Sequence, residues 1–187
     1  GPKAATARAP ENFRAYFKTT KGNFIVHVHR AWAPVGADRF YNLVRLGYFN
    51  DTAFFRVIKG FMAQIGIHGQ PTVNNAWSRS QIKDDPVKKS NARGYVTFAK
   101  TGAPNSRTTQ FFINSADNKR LDGMGFSPFG YVDNKGMTVV DILHSGYGEG
   151  APRGRGPSQG MFRAKGNSFL KQYYPKLDYV RSATIMR

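Results

Sequence analysis

Apolar residues at Phe13, Ala15 and Phe17 alternate with basic ones at Arg14 and Lys18, which predicts a strand buried on one face. Turn residues follow at Thr20-Lys21-Gly22-Asn23, and Phe24–His29 resumes with β-branched side chains, completing a hairpin. From Pro34 to Gly47 the period lengthens. Phe40, Leu43, Val44 and Gly47 share one face, Pro34 suits a first turn and Gly47 a stop, so this stretch predicts a helix. Two short apolar runs, Phe54–Ile58 and Phe61–Ile65, are broken by Lys59-Gly60 and predict strands with a bend. Gly66–Arg93 is a polar, Asn-rich excursion of the length that carries function or local structure. Strands are expected at Gly94–Lys100, Gln110–Asn114, Phe129–Val132 and Tyr179–Met186. A second helix is expected over Met137–Ser145 with Val139, Val140, Ile142 and Leu143 inward, then a Gly/Pro/Arg-rich loop over Gly146–Gly160 and a helical turn over Ser168–Tyr174. Many short strands with two separated helices predict a mainly β fold, a closed antiparallel barrel capped by two α-helices. The helices do not alternate with the strands, which argues against a doubly wound sheet.

A chain of 187 residues, 40% apolar and 14% aromatic, suffices for one packed domain, expected over residues 12–187. Residues 1–11 are small and polar and predict a flexible lead-in, whose Gly1-Pro2 resembles the scar of a tag-removing protease. The absence of Cys excludes disulfides, zinc–thiolate sites and cysteine nucleophiles. No run approaches the roughly 18 apolar residues of a membrane span. The charge is lopsided: 28 Lys and Arg against 11 acids give +17. Such a surface suits an anionic partner, but the cations are scattered along the chain, which favours the solvated surface of an ordinary enzyme.

Several sites can be set aside. Gly146–Gly150 and Gly154–Gly156 lack dinucleotide spacing and a Walker Lys-Ser pair. His27 and His29 share a strand face but lack a nearby third metal ligand. Spacing points to no acid pair and no Ser/His/Asp set.

The informative stretch is Phe54-Phe55-Arg56-Val57-Ile58-Lys59-Gly60-Phe61-Met62-Ala63-Gln64-Ile65-Gly66, which resembles the cyclophilin signature F-x-R-V-I-x-G-F-M-x-Q-x-G. Phe98–Ile113 is similar to that family's small-residue loop followed by S/T-Q-F-F-I. Leu121-Asp122-Gly123 with Phe129-Gly130 matches its L-D-G…F-G. The blocks are ordered and span about Phe13 to Ile185.

The resemblance implies an eight-stranded barrel and a peptidyl-prolyl cis/trans isomerase that works without cofactor or metal on proline-containing peptides and proteins. Arg56 corresponds to the catalytic arginine. Phe61, Met62, Phe112 and Leu121 correspond to the proline-ring pocket. Gln64 and Gln110 correspond to polar groups beside it, and Ala99, Lys100 and Thr101 to the edge that binds the substrate backbone. Taken alone, Phe61, Phe112 and Leu121 read as core, Met62 as gap filler and Gln64 as a partner for a buried backbone group. Arg56 in an apolar strand demands a partner or a cleft.

Two departures stand out. Arg120 precedes Leu121 where the best-known eukaryotic members carry a Trp that helps to bind cyclosporin, so weak cyclosporin binding is expected. The pocket His of those members has no equivalent; Phe126 is nearest and could wall the pocket. Both replacements are bacterial-like, which suggests a bacterial cytoplasm or periplasm, or an organelle. The resemblance suggests a monomer. The competing readings are a cyclophilin-fold scaffold or peptide-binding subunit docked to an anionic partner, and a nucleic-acid-associated protein suggested by charge alone.

Overall fold

The computed structural model describes residues 1–187. The hairpin forms from β1 (Asn12–Thr19) and β2 (Gly22–His29), with Phe17 opposite Phe24. Alternation buries Phe13, Ala15 and Phe17 on β1 and Phe24, Val26 and Val28 on β2. The connection is tight because Gly22 adopts φ +133°, and the Thr19 hydroxyl donates to its carbonyl at 2.6 Å.

The remaining strands are β3 (Thr52–Ala53), β4 (Arg56–Ile58), β5 (Met62–Ile65), β6 (Tyr95–Phe98), β7 (Phe111–Asn114), β8 (Pro128–Val132) and β9 (Tyr179–Ile185). They form one antiparallel sheet in the order β3-β9-β1-β2-β8-β6-β7-β5-β4. Where a closed eight-stranded barrel was expected, nine strands form one curled sheet with no pairing between its terminal strands. Its terminal strands, β3 and β4, are joined directly through Phe54-Phe55, so the chain rather than a hydrogen-bonded ladder brings the two ends together.

Inside the curl lies a Phe-rich core, with Phe17 and Phe24 stacked at 5.2 Å and Phe40 against Phe129 at 4.8 Å. Phe40 comes from α1 (Pro34–Arg45), which packs against β8 and β9. Residues 1–11 run along α1. Ala9 is buried, its N–H donates to Asp38 at 2.9 Å, and Arg45 donates to the Ala4 carbonyl at 2.7 Å.

Five α-helices form where two helices and a helical turn over Ser168–Tyr174 were expected. α2 (Pro71–Trp77) lies inside the polar excursion. α3 (Asn134–Val140) starts earlier than the periodicity suggested, because Asp133 caps it by accepting the Gly136 N–H at 2.9 Å. It also ends earlier, so helical spacing no longer applies at Ile142, which is 57% exposed while Val140 and Leu143 are buried. α4 (Gln159–Lys165) and α5 (Asn167–Tyr173) pack together, and Phe162 and Leu170 join Phe55, Ile67 and Leu177 in a second apolar cluster. No helix is long and apolar enough to cross a membrane.

The excursion is tied down by Asp85, which accepts from the Val35 and Gly36 N–H groups at 3.0 and 2.9 Å and from Arg107 Nη2 at 3.0 Å. Arg107 follows the turn that carries Lys100 and Thr101, so this buried pair also holds one wall of the site described next.

Candidate active site

Three strands set the site by register. Arg56 on β4 lies opposite Gln64 on β5, and Gln64 lies opposite Phe112 on β7. Ala63, Ile65, Phe111 and Ile113 point into the main core, so the alternating positions Met62, Gln64 and Phe112 emerge on the outer face. The result is a row, Arg56–Gln64–Phe112, across three strands.

Met62, Phe112 and Leu121 form a small apolar cluster of their own, with Phe61, Ala99 and Phe126 packed against it. Leu121 is supplied by a 3₁₀ turn over Lys119–Met124. Phe126 meets Phe112 edge-on at 5.8 Å. Cations lie over the outer rings: Lys100 is 4.9 Å from the Phe126 centroid and Arg120 is 4.9 Å from that of Phe61. The edge is fixed by an Ala99 N–H bond to the Gln110 carbonyl at 2.9 Å and a Thr101 N–H bond to Ser106 Oγ at 3.0 Å.

Arg56 is held from two sides. Its Nε and Nη2 donate to the two carboxylate oxygens of Glu149 at 2.6 and 2.7 Å, and its Nη1 donates to Gln64 Oε1 at 2.7 Å. Arginine can only donate, so Gln64 must present its oxygen to Arg56 and its NH₂ to the next group. Gln64 Nε2 accordingly donates to Gln110 Oε1 at 2.8 Å, and Gln110 Nε2 to Gln159 Oε1 at 3.4 Å. The Arg56 bond is the main reason the Glu149 carboxyl lies below its ordinary range. Burial opposes that shift, while the Gly150 N–H and the charges of Arg56 and Arg153 reinforce it.

Between these walls lies a cavity of about 500 Å³. Arg56, Phe61, Met62, Gln64, Ala99, Lys100, Thr101, Gln110, Phe112, Leu121 and Phe126 all line it. So do residues the sequence reading missed: Glu149, Pro152, Arg153 and Pro157 of the loop expected over Gly146–Gly160, and Gln159 and Arg163 of α4. The one available signal was Glu149 itself, an acid in an otherwise basic, Gly/Pro-rich loop and one of only two Glu in the chain. His27 and His29 lie elsewhere, stacked on Tyr131 at 4.8 and 5.9 Å. No three His, Asp or Glu side chains cluster as metal ligands. An apolar recess bordered by a donor-only cation can hold a ring and favour one electronic state of a neighbouring amide.

Residues 14–158 match the model of the cyclophilin type peptidyl-prolyl cis-trans isomerase/CLD family. The chain belongs to the cyclophilin family. Among relatives of this cyclophilin, a peptidyl-prolyl cis-trans isomerase of Acinetobacter baylyi is 36% identical over 143 residues, covering 74% of this chain and 75% of the relative. Peptidyl-prolyl cis-trans isomerase B of Escherichia coli is 36% identical over 135 residues, covering 68% and 81%. A Cryptosporidium parvum cyclophilin, solved in the presence of the dipeptide Ala-Pro, shares the fold with a TM-score of 0.65 at 18% identity, over 93% of this chain and 99% of that one. The cyclophilin fold thus places the register-aligned row and its apolar recess on the outer face of a curled sheet.

Proposed function

We propose that the cavity is where this cyclophilin, a peptidyl-prolyl cis/trans isomerase, rotates X-Pro bonds, with Arg56 as the catalytic residue. The activity is assigned to a single domain over residues 12–187. Amide resonance sets a barrier of about 18–20 kcal/mol, and uncatalysed X-Pro bonds turn over in tens to hundreds of seconds. No covalent bond breaks, so the task is to bind the twisted amide better than the planar one. The proline ring enters the recess of Met62, Phe112 and Leu121, walled by Phe61 and Phe126. The substrate backbone lies along the Ala99–Thr101 edge, and the preceding carbonyl swings while the ring stays fixed. As the amide twists, its nitrogen regains a lone pair, and an Arg56 N–H donates to it. Partial exclusion of water weakens solvation of the planar amide's carbonyl and eases the twist.

The observation that supports this most is the Arg56–Gln64–Phe112 row, which places a fixed donor and an apolar wall side by side on one sheet face. The test is Arg56→Ala in a protease-coupled assay on a prolyl tetrapeptide, with folding checked by circular dichroism. A lost charged donor predicts a fall in kcat/KM of about 100-fold. A folded variant with the wild-type rate overturns the assignment.

A further inference from the structure

Arg56 does not stand free at the rim. Glu149 reaches it across 93 residues of sequence and takes Nε and Nη2 at 2.6 and 2.7 Å. The guanidinium has five N–H groups. Glu149 and Gln64 engage three, so two remain for a substrate, and Nη1 also sits 3.9 Å from the Met62 sulfur. The loop that carries the acid is itself braced. The Glu149 carbonyl accepts the Gly156 N–H at 2.9 Å, Ala151 N–H donates to the Gly156 carbonyl at 2.9 Å, and a side chain at Gly154 would collide with the Glu149 backbone. Glu149 Oε1 also accepts the Gly150 N–H at 2.9 Å. The carboxylate is therefore a fixed part of the wall rather than a surface acid that happens to swing inward.

We propose that Glu149 is the positioning residue of this cyclophilin, fixing the plane of the Arg56 guanidinium so that its remaining N–H groups face the amide nitrogen. The proposal rests on the reading of Arg56 as catalytic. Two effects compete. A carboxylate in contact with the guanidinium offsets its positive charge, which would weaken catalysis wherever negative charge develops. Rotation about an X-Pro bond develops a lone pair on nitrogen with no net charge, so a donor's direction matters more than its charge. A long arginine side chain that is not anchored samples many rotamers, and each hydrogen bond it makes must then overcome that freedom. The bidentate contact removes the freedom before substrate arrives. Orientation therefore outweighs charge offset, and Glu149 assists rather than inhibits.

The test is a double-mutant cycle on the full chain, with kcat and KM on a prolyl tetrapeptide for wild type, Glu149→Gln, Glu149→Asp, Arg56→Ala and Arg56→Ala/Glu149→Gln. Amide NMR spectra check the fold, and hydrogen exchange at Arg56 Nε–H reads the pairing. In Glu149→Gln, kcat should fall about tenfold while KM stays within about twofold, and exchange at Nε–H should accelerate. Glu149→Asp should recover part of kcat. In the Arg56→Ala background, Glu149→Gln should change nothing further. An unchanged or raised kcat in Glu149→Gln overturns the proposal, as does an equal fold-loss in both backgrounds, which would mark Glu149 as loop structure only. Wild-type turnover by Arg56→Ala would instead bring down the reading of Arg56 itself, and the proposal with it.

Discussion

The Asp85–Arg107 pair carries a prediction that links stability to the site. Both side chains are 3% exposed and lie 3.0 Å apart. Asp85 also accepts the Val35 and Gly36 N–H groups at the start of α1. Arg107 further bonds the Lys83 carbonyl through Nη2, while its Nε and Nη1 are buried without partners. Asp85→Ala would strand an arginine that has no path to water and two N–H groups at a helix start. Breaking a buried pair from one side costs about 3–5 kcal/mol. Against a total stability of about 5–15 kcal/mol this is a large share. For a chain of this size it corresponds to a fall in Tm of roughly 6–20 °C. Replacing both partners, Asp85→Ala with Arg107→Met, removes the stranded charge and should be less destabilising than Asp85→Ala alone. Thermal unfolding followed by circular dichroism gives the comparison. Ser106 and Thr108 flank Arg107 and line the cavity, so the single variant should also show a raised KM at temperatures where it is folded. A Tm within about 2 °C of wild type for Asp85→Ala, or strict additivity of the two changes, would refute the reasoning.

Asp178 supplies a pH-dependent counterpart. Burial raises its pKa, but the His144 N–H, Lys21 and Thr20 bonds and the Lys21 charge together outweigh burial and hold it below the ordinary 3.8. A depressed folded value means that its stabilisation is complete above the unfolded value and is lost as pH falls through the folded one. Asp178→Asn should therefore lower the urea midpoint at pH 6, and the gap from wild type should narrow on acidification below about pH 4; a gap that is constant with pH would contradict this. For cyclosporin, Arg120 sits over Phe61 where the better-known relatives carry the drug-contacting Trp, so binding measured by calorimetry should be weak and Arg120→Trp should tighten it severalfold. Tight binding by the wild-type chain would remove Arg120 as the cause.

How much was legible in the sequence depended on the range of the interaction. The β1–β2 hairpin was visible because alternation and turn residues are local. Taken alone, Phe61, Phe112 and Leu121 read as core, and only the resemblance of their blocks to the cyclophilin motifs implied a recess. α4 was not visible, because Phe162 is its only buried residue, too little to generate a helical period. α3 was displaced because a cap at Asp133, outside the apolar run, decides where it begins. The open ladder was hidden for another reason: strand pairing between elements far apart in the chain leaves no mark on either strand's own pattern.

The same distinction separates the two halves of the site. Everything on β4, β5 and β7 follows from one arithmetic fact: side chains alternate with period 2, so once Ala63 and Ile113 face the core, Gln64 and Phe112 must face out. A one-residue slip between β5 and β7 would break the row's alignment, so core packing itself enforces the alignment of Arg56, Gln64 and Phe112. The loop from Glu149 to Pro157 obeys no such rule. Its place depends on backbone bonds within the loop and on one carboxylate finding the Arg56 guanidinium of β4. A motif can therefore specify the recess and the donor, while the element that aims the donor comes from a segment whose composition reads only as a basic, glycine-rich connector. In this cyclophilin the strand register sets Arg56, Gln64 and Phe112 in one row, a 3₁₀ turn adds Leu121, and the loop brings Glu149 to the guanidinium.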